Sequence, residues 1–84
     1  MTTILYFAWV RELVGTTEER IELPGEVTTL GELARWLQGR SEGHRSALSD
    51  RGRLRGAVDQ SFAGWDAPIT GAKEIAFFPP VTGG

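Results

Sequence analysis

The sequence predicts one small α+β domain. Its 84 residues allow a single core, which buries roughly 60 to 65 per cent of the surface of the unfolded chain. Runs rich in β-branched and aromatic residues flank one clear amphipathic helix. The predicted order of elements is strand, strand, helix, strand, short strand, strand, without an internal repeat or a linker.

The first two elements are predicted strands. Residues 2–9 are apolar on both faces, which is typical of a central strand. Residues 10–14 are too few for a stable helix and end at Gly15, so they predict one helical turn in a connection. Residues 17–23 alternate between apolar and polar, which indicates a half-buried strand that pairs with the first in a hairpin.

The clearest helix begins at Thr29. Thr29 and Glu32 stand three residues apart, which is the spacing of a capping box. Apolar residues then recur at helical spacing and form one face aimed at a sheet: Leu30, Leu33, Ala34 and Leu37. Gly39 is a plausible stop. The polar residues 41–52 are expected to be the least ordered stretch.

Short extended pieces separated by turns are predicted in the last third of the chain. They are a strand over 54–58, a turn-rich link over 59–66, an extended piece over 67–69, a turn over 71–74 and a final strand over 75–78. In the final strand Ile75 and Phe77 share one face. If they fill the core, Phe78 lies on the solvent face.

Composition argues against several classes of function. The 9 basic and 11 acidic residues give a net charge of −2 without a basic block, so we expect no nucleic-acid partner. No stretch approaches 18 consecutive apolar residues and the N-terminus lacks a signal-peptide pattern, so we expect no membrane partner and a cytoplasmic protein. Cysteine is absent, which removes disulfides and cysteine-ligated metals.

The single histidine, His44, offers the one catalytic alternative. It lies near residues that could complete a hydrolase triad: Ser41, Ser46, Ser49 and Asp50. A triad needs a rigid setting, and this stretch is expected to be an exposed loop, so we do not favour it. A metal site with one histidine and no cysteine would need clustered carboxylates, and Glu18 and Glu19 alone are not such a cluster. The three tryptophans are expected to pack in the fold: Trp9, Trp36 and Trp65.

The last ten residues pass from an apolar strand through two prolines to a Gly-Gly terminus. Pro79 and Pro80 cannot donate to a sheet ladder, so strand pairing must stop before them. Residues 80–84 can then project roughly 16 Å from the domain. Because Gly83 and Gly84 lack side chains, they can enter a channel that any Cβ would block. The pattern predicts a terminus delivered into another protein's active site; the alternative is a frayed tail.

Residues 77–84, Phe-Phe-Pro-Pro-Val-Thr-Gly-Gly, resemble the terminal signature of the small subunits of molybdopterin synthase, the sulfur carriers of molybdenum cofactor synthesis. Residues 7–15 resemble that family's first strand and the turn after it. Residues 57–60 match a third segment, in which Asp59 stands for the family's usual Asn. Residues 71–74 also depart from the commoner turn sequence. The resemblance covers essentially the whole chain.

The resemblance implies a β-grasp fold, the fold of ubiquitin. This is a mixed sheet with one main helix packed across one face, in which the first and last strands pair in parallel. Residues 1–84 would form one domain, with 79–84 as its projecting tail.

The resemblance also implies a chemistry for Gly84. A partner activating enzyme would use ATP to adenylate its carboxylate, and sulfur would displace AMP to give a thiocarboxylate. The large subunit of the synthase would hold the pterin precursor that accepts this sulfur, in a heterotetramer. No cofactor is expected on this chain, and ATP would be bound by the activating enzyme, because the sequence has no phosphate-binding loop. Without cysteine, the terminal carboxyl is the available place for sulfur.

The family's partner contacts carry over onto specific residues. The docking surface would comprise Phe7, Phe62 and Phe78, with Arg11 near the interface and the tail residues Gly83, Pro79, Pro80, Val81 and Thr82 leading to Gly84. Core packing is an equal alternative for Phe7, as is a solvated charge for Arg11. Lys73 is expected to be a surface lysine.

Other functions remain open from the residues. A related carrier would serve thiamine synthesis or tRNA thiolation with the same tail chemistry. A ubiquitin-like interaction module would keep the fold without ever carrying sulfur. An independent small enzyme ranks last, because no credible catalytic constellation accompanies the fold.

Overall fold

The computed structural model describes residues 1–80 and has the predicted α+β architecture. The elements, in chain order, are β1 (Thr2–Tyr6), α1 (Ala8–Val14), β2 (Glu18–Ile21), α2 (Leu30–Leu37), α3 (Glu42–Leu48), a 3₁₀ turn (Arg51–Arg53), β3 (Arg55–Val58), β4 (Ser61–Ala63) and β5 (Glu74–Phe78). Within this part of the chain, no helix has the length and apolar character needed to cross a membrane.

The five strands form one mixed sheet in the order β2-β1-β5-β3-β4. β1 and β5 are parallel, with Tyr6 opposite Phe77, and the other pairs are antiparallel. The last strand therefore lies at the centre of the sheet, beside the first. This topology confirms the predicted β-grasp fold and its parallel pairing of the first and last strands.

The core lies between one face of the sheet and the helices. Alternation along β1 and β5 directs Ile4, Tyr6, Ile75 and Phe77 to this face, where all four are buried. The apolar side of α2 covers them with Leu30, Leu33, Ala34 and Leu37, as its spacing predicted. One main helix was expected, but α1 and α3 also contribute to the same core through Val10, Ala47 and Leu48.

The start of α2 is the capping box that the sequence predicted. The Thr29 hydroxyl accepts the Glu32 backbone N–H at 3.1 Å, and the Glu32 carboxylate accepts the Thr29 N–H at 3.1 Å. Glu32 also accepts the Thr28 N–H at 2.8 Å. These hydrogen bonds, those from Thr28 first, lower the pKa of Glu32.

The first strand is shorter than predicted. It ends at Tyr6, and the helical segment expected over 10–14 begins earlier, at Ala8. The chain turns at Ala8, which has a φ of 53°, and the Phe7 carbonyl accepts the N–H groups of Val10 and Arg11. Apolar residues run unbroken through this corner, so hydropathy gave no sign of the change from strand to helix.

The polar stretch over 41–52, expected to be the least ordered, instead forms α3 and the 3₁₀ turn. Ser41 caps α3 by accepting the His44 N–H at 3.1 Å, and Ala47 and Leu48 are buried. A seven-residue helix has little stability of its own, so its order depends on packing against α1 and α2. At Gly43, α3 approaches α1 so closely that an added Cβ would collide with the Leu13 carbonyl.

The turn-rich link predicted over 59–66 contains a strand that the sequence analysis missed. β3 and β4 form a hairpin whose two-residue turn is Asp59-Gln60, with φ of 48° and 71°. The Asp59 carboxylate accepts the backbone N–H groups of Lys73 and Glu74 at 2.9 and 3.0 Å. It thereby ties the turn to the start of β5.

A polar cluster joins α3 to the sheet. Glu19 Oε1 accepts the Tyr6 hydroxyl at 2.7 Å and lies 2.7 Å from His44 Nε2, and Glu19 Oε2 lies 3.6 Å from Arg40. Burial favours the neutral carboxyl, but the bonds from His44 and Tyr6 and the nearby positive charges outweigh it, and the pKa of Glu19 is lowered. Burial and the bond to Glu19 raise the pKa of Tyr6.

We expect Gln60→Gly to stabilise the fold by about 0.5 to 1 kcal/mol. Gln60 has a φ of 71°, which Gly adopts without the steric cost that a Cβ brings. The relief of this steric cost in the folded state exceeds the conformational entropy that Gly adds to the unfolded chain. Gln60→Ala, which keeps the Cβ, is the matched control. Urea unfolding measures both, and equal stability of the two variants would contradict the argument.

We expect Glu19→Gln to cost about 1 to 3 kcal/mol at pH 7, because the charged hydrogen bonds of the cluster are weakened. The pKa of Glu19 is lower in the folded state, so this contribution is complete above its ordinary value of 4.5 and is lost as the pH falls through the folded value. The difference between wild type and variant in the free energy of unfolding, measured with urea, should therefore shrink as the pH falls below 4.5. A difference that stayed constant with pH would refute this role.

Candidate docking face and the base of the C-terminal tail

The side of the sheet opposite the helices carries a row of apolar residues. The pairings place Ala57 beside Phe62 and Ala76, and Arg55 beside Phe78, all on this side. Leu5 and Phe7 continue the row on the other side of β5, since they alternate with buried core residues. We call this surface the open face; its apolar residues are Leu5, Phe7, Ala57, Phe62, Ala76 and Phe78.

The open face has a groove beside two aromatic rings that pack against each other. The ring centroids of Phe62 and Phe78 lie 5.7 Å apart, and the groove has a volume of about 310 Å³. It is lined by Arg55, Gly56, Phe62, Ala63 and Phe78. Phe62 is 82% exposed, while Phe78 is half-buried against it. A large exposed aromatic side chain beside an apolar groove is typical of a protein-binding surface.

Phe7 lies beside the end of β5 and outside the core. It is 47% exposed, and its backbone N–H donates to the Phe77 carbonyl at 3.1 Å, which continues the pairing of β1 and β5 by one residue. Phe7 is therefore a surface residue and does not pack in the core, which was the alternative. The structure thus brings Phe62 and Phe78 into contact and places Phe7 beside the end of the same central strand.

The tail begins where β5 ends. Pro79 and Pro80 follow Phe78 directly and are half-buried. Strand pairing stops at Phe78, as the prolines predicted. The remaining predicted site residues lie outside the described residues: Val81, Thr82, Gly83 and Gly84.

Arg11 and Lys73 do not lie in the groove. Arg11 is exposed on α1 and lines a separate depression with Gly15 and Thr16. Lys73 is exposed in the turn before β5, at the end of that strand away from the tail.

The sequence analysis missed two arginines beside the tail base. Arg55 pairs with Phe78 across the sheet, and its Nη1 donates to the Leu54 carbonyl at 2.7 Å. The Arg53 guanidinium lies 5.0 Å from the centroid of the Trp9 ring, a cation–π contact. The alternation of β3 would have placed Arg55 on the open face, but only once the register with β5 was known.

The histidine lies in a buried structural cluster. Ser41 Oγ is 2.7 Å from His44 Nδ1 and also caps α3, while Glu19 occupies the other ring nitrogen. Asp50, the acid that such a triad would have needed, instead accepts the Gly52 N–H. This arrangement satisfies every polar atom of the ring within the fold and accounts for the helix cap, so we assign the cluster to stability.

The three tryptophans pack against the core, as expected. Trp65 stacks on Phe77 with centroids 6.4 Å apart, and an arginine lies over each indole ring. Among residues 1–80, no group of three His, Asp or Glu side chains is arranged to hold a metal ion.

Known proteins share the sequence and the fold of this chain. The chain is 43% identical to the molybdopterin synthase sulfur carrier subunit of Escherichia coli and 34% identical to that of Haemophilus influenzae, in both cases over the full length of each chain. A solved structure from Pyrococcus furiosus, described as a molybdopterin converting factor, subunit 1, superposes with a TM-score of 0.75 at 28% identity. The alignment covers 95% of this chain and 97% of that one.

The family model named ThiS family matches residues 4–84. The resemblance that the tail indicated is thereby confirmed, and it extends over the whole chain. The open face, the central last strand and the Gly-Gly terminus thus occur in a chain that belongs to the ThiS family of sulfur carriers.

Proposed function

We propose that this chain is the sulfur carrier subunit of a molybdopterin synthase, with the sulfur held as a thiocarboxylate on Gly84. Its relatives of equal length carry that name, and its last residues have the sequence on which the resemblance was based. The observation that carries the proposal is the position of β5. This central strand ends at Pro79 and Pro80, at one end of an exposed apolar face, and the sequence beyond them finishes on Gly-Gly.

The chemistry is that of acyl activation. A carboxylate is a poor electrophile, so a partner enzyme first converts the Gly84 carboxylate into an acyl-adenylate at the expense of ATP. The terminal sulfur of a persulfide displaces AMP to give an acyl disulfide, and a thiol of the partner enzyme cleaves it, leaving the thiocarboxylate and an enzyme disulfide. The thiocarboxylate sulfur then bonds to cyclic pyranopterin monophosphate, and water hydrolyses the acyl–sulfur bond. Gly84 returns to a carboxylate, and the sulfur becomes part of the dithiolene. The chain binds no cofactor of its own. Gly84 reacts in these steps, and the fold positions it.

The large subunit docks on the open face in this proposal. Phe62 and Phe78 form the apolar anchor and Phe7 extends it toward β1. Residues 79–84 then enter the large subunit's active site, and the side-chain-free Gly83 and Gly84 reach its end. Arg11 borders this interface from α1. The complex acts in the cytoplasm, without nucleic acid or membrane.

The intact mass of the protein tests this proposal. After incubation with its activating enzyme, ATP and a sulfur donor, the chain should gain about 16 Da, the difference between sulfur and oxygen, on Gly84. A variant that lacks Gly84, and one with a residue appended after it, should fold normally and gain nothing. If an activating enzyme competent on another carrier leaves the mass unchanged, the chain is better explained as a ubiquitin-like interaction module.

Binding to the large subunit distinguishes this carrier from one serving thiamine or tRNA. Phe78 lies on the central strand β5 and packs against Phe62. We therefore expect Phe78→Ala to weaken large-subunit binding by about 2 kcal/mol or more, and Phe62→Ala by a similar amount. Leu13→Ala is the matched control, since Leu13 is 45% exposed and lies on the side of α1 opposite Arg11, about 200° around the helix. Isothermal titration calorimetry measures each Kd. Equal affinities for all three variants would remove the open face from the interface.

A further inference from the structure

We infer that Arg53 and Arg55 form a cationic collar at the base of the tail, and that this collar binds acidic side chains of the large subunit beside the aromatic groove. The inference rests on the proposed function, because it names the chemistry by which the same partner is recognised. It concerns two residues that the sequence did not single out.

The position of the collar follows from the sheet. Arg55 is the register partner of Phe78, so it faces the last paired residue before the tail. Arg53 lies two residues earlier and places its guanidinium over Trp9, at the start of α1. β3 is antiparallel to β5, so the residues before Arg55 continue past Phe78, and Trp9 follows Phe7, which bonds to the end of β5. Arg53 therefore belongs to the same end of the sheet as the start of the tail.

The two arginines are held in place while their charge stays available. The contact with Trp9 orients Arg53, and the bond to the Leu54 carbonyl orients Arg55. Each guanidinium has five N–H donors, so most donors of Arg55 remain for another ligand. Within residues 1–80, neither arginine has a carboxylate within 4.0 Å, whereas Arg40 has Glu19. An oriented arginine loses less conformational entropy when it binds.

The setting of Arg55 defines the partner's chemistry. Arg55 lines the groove with Phe62 and Phe78, so a protein that fills the groove also removes water from the guanidinium. That desolvation is costly unless a carboxylate replaces the water. The fitting occupant is therefore an apolar side chain with an Asp or Glu beside it. The net charge of −2 and the small size of the collar do not favour a nucleic-acid phosphate.

The test measures Kd for the large subunit by calorimetry with three double variants. In the first, Arg53→Glu and Arg55→Glu reverse the collar; in the second, both arginines become Gln. The control, Arg35→Glu with Arg45→Glu, changes the net charge equally on the exposed sides of α2 and α3. Thermal unfolding of each variant checks that it is folded.

We expect affinity at low salt to fall in the order wild type, neutral variant, reversed variant, with a loss of at least about tenfold for the reversed variant. The control should stay within about twofold of wild type. The differences should narrow as salt rises, because the screening length shortens from about 30 Å at 0.01 M to about 10 Å at 0.1 M.

Each further outcome has a distinct meaning. If wild type binds the large subunit and the neutral and reversed variants bind equally well, the collar is overturned and the proposed function stands. The collar is also overturned, and the proposed function stands, if the control variant loses as much affinity as the reversed variant. If wild type itself does not bind, the proposed function fails and the collar fails with it.

Discussion

The parallel pairing of β1 and β5 is the constraint on which the rest of this structure depends. It places the last strand in the middle of the sheet, where neighbours on both sides hold it. Phe77 is consequently buried among Tyr6, Trp65 and the helices, while the next residue faces the open side. Pro79 and Pro80 then end the ladder at a position fixed by the core. The C-terminal tail therefore begins at one of the most constrained positions of the fold.

The two faces of the sheet serve different purposes. Three short helices cover one face, and each depends on burial against its neighbours for its stability. Gly43 allows α3 to approach α1 closely, and the hydrogen bond between Glu19 and His44 joins α3 to the sheet. The other face keeps aromatic side chains exposed, which is costly for a monomer and useful for binding. So small a core leaves little room for a deep active site, and in the proposed function the pocket is supplied by a partner.

Sequence patterns predicted the features that depend on local chemistry. The capping box at Thr29, the apolar face of α2 and the end of pairing before Pro79 all follow from residue types at short spacing. The features that the sequence patterns did not predict depend on tertiary contacts. The order of α3 comes from packing, and the turn at Asp59 uses positive φ in residues other than glycine. The place of Arg55 beside Phe78 depends on a register between strands distant in sequence.

The central claim is that the open face and the tail base form the side that meets the large subunit. Cross-saturation NMR tests it most directly: isotope-labelled carrier is mixed with unlabelled large subunit, and irradiating the large subunit attenuates carrier signals at the interface. The account predicts attenuation at Phe7, Phe62, Phe78 and the residues after them, with α2 and α3 unaffected. Attenuation concentrated on the exposed sides of α2 and α3 would contradict it.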